Sequence, residues 1–165
     1  MTNRTGPSAA KRTITMERTY QASVEDVWNL WTTKEGIESW WGPEGFTVKV
    51  LALDLRTGGE LHYTMTATGP AQMEFMRNAR MPLMTEHRAT YTEVISHRRL
   101  AYTIVADFIP DVESYKVATL VELHRTSQGV RMVLTFDAMH DEVWTQRAIM
   151  GRESELGRLA KALAA

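Results

Sequence analysis

At Asp141 the sequence changes rhythm, and that change restricts the fold more than any other feature. From there "DEVWTQRAIMGRESELGRLAKALAA" sets Trp144, Ala148, Ile149, Leu156, Leu159, Ala160 and Leu163 on one broad face at helical spacing. Asp141 and Glu142 stand at the dipole-positive end. The spacing predicts a helix of about 23 residues, long enough to cross a whole sheet. Such a helix cannot bury its own stripe, so it needs an apolar surface of similar length.

The preceding residues supply that surface as short alternating runs bounded by turn residues. "TITMERTY" (13–20) reads as a strand. Two short helices are expected next. The first spans about 24–31, with Ser23 as N-cap and Asp26 at the third helical position. The second spans 34–41 and is ended by "GPEG". Six strand segments follow: 46–55, 60–68, 87–95, 100–107, 115–125 and 130–138. Their connections are mostly short, which argues an antiparallel meander. "GPAQMEFMRNARMPLM" (69–84) breaks this rhythm and is too long for a tight turn. It reads as an irregular or short helical excursion, expected to be a lid or mouth segment. The whole is an α+β architecture with helices on one face of an antiparallel sheet. At 165 residues one domain is expected, spanning 13–165 behind a loose polar tail at 1–12.

Several stretches together carry a family resemblance: "ASVEDVWNLWT", "WWGPEGFT", "LDLRTGGELHYTM", "YTEVISHRRLAYT" and "VRMVLTF", followed by the long helix. This order resembles the START-like helix-grip superfamily. More narrowly, it resembles the domain shared with the activator of Hsp90 ATPase and its bacterial relatives. The likeness covers nearly the whole chain from about Thr13, and "WWGPEGFT" followed by "DLRTGGE" is its most specific part. It implies a curved seven-stranded sheet gripping the long helix, with a cavity between them. Relatives of this kind include lipid carriers, hormone binders, polyketide cyclases and Hsp90-stimulating domains, so the fold alone does not select a function.

Given such a cavity, Trp40 and Trp41 are the first candidates for its wall, with Phe46 beside them. Adjacent side chains cannot share one face of a regular element. One indole is therefore expected to seal the core while its neighbour points to the cavity mouth. The alternative is that both only anchor the helix–turn to the sheet. Leu61, Tyr63, Met65, Tyr91, Tyr102 and Met132 are assigned to the inner sheet face, as ligand contacts or as plain core. On the long helix, Trp144, Ala148 and Gly151 complete the candidate lining, and Arg152 falls near the centre of the apolar stripe. A cation facing a sheet is costly unless paired or wetted. Arg152 is read as the holder of an anionic or carbonyl group of a ligand, as a partner of Glu155 or Glu93, or as snorkelling past a helix rotated from this setting. Gly151 is read either as letting the helix approach the sheet or as leaving room for a ligand.

Other chemistries lose support. The net charge of −1 gives no footprint for nucleic acid or an anionic membrane. No apolar run reaches membrane-span length. With no cysteine, thiolate chemistry is excluded, and the composition fits a reducing cytoplasm. The five histidines show no metal-ligand spacing; His87, His97, His124 and His140 are read at strand ends or turns, and His62 on the outer sheet face. At most, His62 and His87 approach one another across the sheet. No serine sits in a nucleophile elbow, and "RTGGE" reads as a hairpin turn. No metal, cofactor or catalytic residue is expected. The leading expectation is a protein that encloses an apolar or amphipathic small molecule. A chaperone-linked interaction domain and a cyclase- or hydrolase-like enzyme are kept as alternatives, and homodimer formation stays open.

Overall fold

The computed structural model describes residues 12–107 and 109–164. The expectation of a loose tail falls, apart from Arg12, outside the described residues. Seven strands and four helices follow the expected order: β1 (Thr13–Tyr20), α1 (Val24–Thr32), α2 (Lys34–Trp40), β2 (Phe46–Leu53), β3 (Glu60–Ala67), α3 (Pro70–Asn78), β4 (Met84–Ile95), β5 (Arg99–Ala106), β6 (Tyr115–Thr126), β7 (Gly129–Asp137) and α4 (Glu142–Ala164). All strand pairs are antiparallel, in the order β1-β7-β6-β5-β4-β3-β2. Register shifts at Val50/Ala52 and Tyr91/Glu93 insert irregularities into β2 and β4. Such bulges bend a strand and let a sheet curl around a helix.

Local chemistry sets the short helices. Ser23 Oγ accepts the Asp26 N–H at 3.0 Å and starts α1. Thr33 is extended and serves both helices: its hydroxyl donates to the Asn29 carbonyl and accepts from the Gly36 N–H. Gly36 is required there, because a Cβ would lie 2.2 Å from the Asn29 carbonyl oxygen. Asp141 caps α4 by accepting the Trp144 N–H at 2.8 Å. The excursion after β3 is a regular helix with Pro70 in its first turn, where a missing N–H costs nothing.

The inner sheet face is covered unequally. At one end, α1, α2 and the C-terminal half of α4 pack solidly on it. Val27, Trp31, Ile37, Trp40, Leu61, Tyr91, Leu100, Met132, Leu134 and Leu159 share that core. At the other end only the N-terminal half of α4 crosses the sheet. The helix is turned slightly from its expected setting: Thr145, Leu156 and Leu159 are buried, whereas Ala160 is exposed. Arg152 faces the sheet, as its place in the stripe implied.

Candidate functional site

Where only α4 spans the sheet, a hollow of about 240 Å³ remains. Its floor is the inner face of five strands: Tyr63 and Met65 of β3, His87 of β4, Tyr102, Ile104 and Ala106 of β5, Val117 of β6 and Phe136 of β7, with Asp137 at the end of β7 beside it. Ala148, Gly151, Arg152 and Glu155 of α4 form its roof, and Trp41, Pro43 and Met139 close its sides. A Cβ built on Gly151 meets nothing within 4 Å, so the glycine enlarges the space rather than bringing backbones together.

Arg152 is the central polar group. Its Nη2 donates to Thr119 Oγ1 at 2.7 Å and its Nη1 to the Tyr102 phenol at 3.3 Å. The guanidinium lies 4.9 Å over the Phe136 ring, and Glu155 Oε1 stands 4.0 Å away. Burial works against its charge, but Tyr102 and Glu155 outweigh that and hold its pKa above the ordinary value. Glu93 pairs with Arg99 instead. Burial raises the Tyr63 phenol well above its usual range, partly opposed by hydrogen bonding to Trp41. Burial also pushes His87 down, against the pull of Asp107, which favours the neutral imidazole. His87 stacks on Tyr63 with centroids 5.3 Å apart and bonds Thr85 Oγ1 through Nε2 at 2.7 Å.

Of the tryptophan pair, Trp41 lines the hollow between Tyr63 and Tyr102, with centroids 6.0 and 5.9 Å away. Trp40 lies outside the lining. It is 1% exposed in the solid core, donates its indole N–H to the Leu30 carbonyl at 2.7 Å, and meets Trp31 edge-on. The turn after them is held from two sides. From α4, Ser154 Oγ accepts the Glu44 N–H, Glu155 Oε2 accepts the Gly42 N–H, and Arg158 Nη1 donates towards the carbonyls of Trp41, Gly42, Pro43 and Phe46. From the other side, Gln72 of α3 packs on Gly45 so closely that a Cβ there would lie 2.1 Å from its Cδ.

Further sequence candidates fall elsewhere. Leu61, Tyr91 and Met132 do face inward, but under the solid half of the cover. Phe46 contributes a backbone carbonyl to Arg158 rather than a ring to the hollow. Trp144 packs against the satellite cluster of Ala106, Ile109 and Val117. None of residues 69–84 lines the hollow, so α3 supports the turn instead of forming a lid. His62 bonds Glu86 while His87 pairs in register with Tyr63, so the two histidines face opposite sides of the sheet. His87 lies within β4, not at a strand end. Among the described residues no group of three or more potential ligands gathers to hold a metal ion. Nor is any helix long and apolar enough to cross a membrane.

The family model described as activator of Hsp90 ATPase homolog 1-like protein matches residues 21–164. The chain belongs to that family. Solved structures of similar fold include a Chromobacterium violaceum protein, 22% identical, with 93% of this chain and 97% of that one covered and a TM-score of 0.75. An AHSA1 protein from Silicibacter pomeroyi is 19% identical over 93% and 98% of the two chains, with a TM-score of 0.71. The AHSA1-like protein of Aeromonas hydrophila is 20% identical over 92% and 93%, with a TM-score of 0.67. No curated protein matches the chain. At these identities the similarity carries the fold, here the AHSA1 helix-grip, and function rests on the site.

Proposed function

We propose that this AHSA1-family chain binds an apolar or amphipathic small molecule in the hollow beneath α4, with Arg152 orienting its polar end. The observation that carries this reading is a mostly apolar cavity of about 240 Å³ with one hydrogen-bonded guanidinium in its roof. A dry cavity of about 150 Å³ admits benzene, so this one suits one or two fused rings. Burial of apolar ligand surface at roughly 25 cal/mol per Å² drives the binding.

The test titrates ethylnaphthalene into the wild type and into Gly151→Leu. The added side chain projects into open space, so the variant folds and is stabilised by up to about 1 kcal/mol through helix propensity. The wild type is expected to gain about 2.7 kcal/mol at a hundredfold excess over Kd, and the variant to lose that response. No response in the wild type, or an equal one in the variant, rejects the reading. The family description names an Hsp90 ATPase activator, so a chaperone-linked role remains the second reading. Hsp90 ATPase rates measured with and without the chain decide it, and an unchanged rate removes it.

A further inference from the structure

The polar atoms around Arg152 discriminate between kinds of ligand head. Tyr102 and Thr119 each accept from the guanidinium, so each keeps its own O–H to donate elsewhere. The Tyr63 phenol also lines the hollow and carries a proton of its own. Both phenols line the hollow, with the ring centroids of Tyr63 and Tyr102 6.0 and 5.9 Å from that of Trp41. Each offers a hydrogen-bond donor to an acceptor oxygen within the hollow.

The charge of Arg152 is already answered: Glu155 Oε1 stands 4.0 Å from it. A ligand carboxylate entering here brings a second negative group beside that one guanidinium and also loses its hydration. A ketone or amide oxygen meets the same donors without that penalty. We propose that the hollow selects uncharged carbonyl compounds of about naphthalene size over carboxylates of the same skeleton, seating the carbonyl oxygen on Tyr102 and Tyr63. This rests on the ligand-binding reading above.

Three matched probes separate the two ideas: ethylnaphthalene, acetylnaphthalene and naphthoate, titrated calorimetrically at neutral pH. Acetylnaphthalene is expected to bind about tenfold tighter than ethylnaphthalene, the worth of a well-placed hydrogen bond. Naphthoate is expected to bind at least about tenfold more weakly than the ketone. Tyr102→Phe should erase the ketone's advantage while ethylnaphthalene binding persists, which also reports that the variant is folded. Tyr63→Phe serves as an independent second variant with the same expected split. Naphthoate binding as tightly as the ketone, or a ketone no tighter than the hydrocarbon, overturns this inference and leaves the cavity reading standing. Failure of the hydrocarbon itself to bind overturns the cavity reading.

Discussion

Trp40 and Trp41 are neighbours in sequence with opposite duties. Trp40 spends its N–H on the Leu30 carbonyl inside the solid core, while Trp41 faces the hollow. Trp40→Phe should therefore cost about 2–3 kcal/mol of stability and leave probe affinity unchanged, checked by urea denaturation alongside titration. A variant of wild-type stability with weakened binding would reverse the assignment. The division of labour was legible, because adjacent residues cannot share a face; which indole took which role was not, since the exit angle of α2 decides it. His87 shows the opposite failing. Its alternation with Ala89 and Tyr91 marks it as inward-facing, but a strand begun three residues late placed it at an end. Phe136 was equally within reach, two and four residues beyond the inward Leu134 and Met132. Leu61, Tyr91 and Met132 follow the second of their two readings, plain core beneath the solid half of the cover. Periodicity reports which side of a sheet a residue occupies, not what covers it.

Helix α4 works through its polar positions as much as through its stripe. Ser154, Glu155 and Arg158 hold the backbone of the turn at 42–46, and Arg158 alone serves four carbonyls. Arg158→Met leaves these carbonyls without that donor. It should cost about 2 kcal/mol in chemical denaturation and speed proteolysis within the turn. Equal stability with an intact turn would show that water replaces the guanidinium without loss. The sequence marked Arg152 as anomalous because a cation stood in an apolar stripe. Nothing marked Arg158, which lies at the stripe's edge and bonds backbone atoms more than a hundred residues away. The strands and α1, α2 and α4 were readable within a few residues from period, caps and turn glycines. Residues 69–84 read as an irregular or short helical excursion but without bounds, because Pro70 opens a helix with only Met76 buried and hence almost no apolar stripe to delimit it.

Burial of aromatic hydroxyls sets how the whole molecule responds to base. Burial raises Tyr20 to about 12, and it also pushes Tyr63 and Tyr91 upward. Unfolded phenols ionise near 10. Above that pH the unfolded chain releases protons that the native state retains, so stability falls as pH rises. Phenolate absorbance should show these three groups ionising only as the fold is lost. A native chain in which all five tyrosines titrate near 10 would contradict this. The sheet order has a consequence for how the molecule is made. Thr13–Tyr20 has a single hydrogen-bonded neighbour, the strand at 129–137. On a ribosome the strand at 13–20 emerges before the other six strands of its sheet and waits for the last of them before its backbone is satisfied. The first strand of this sheet is thus among the last to be locked, and synthesis halted before residue 129 leaves an edge open to any passing extended peptide.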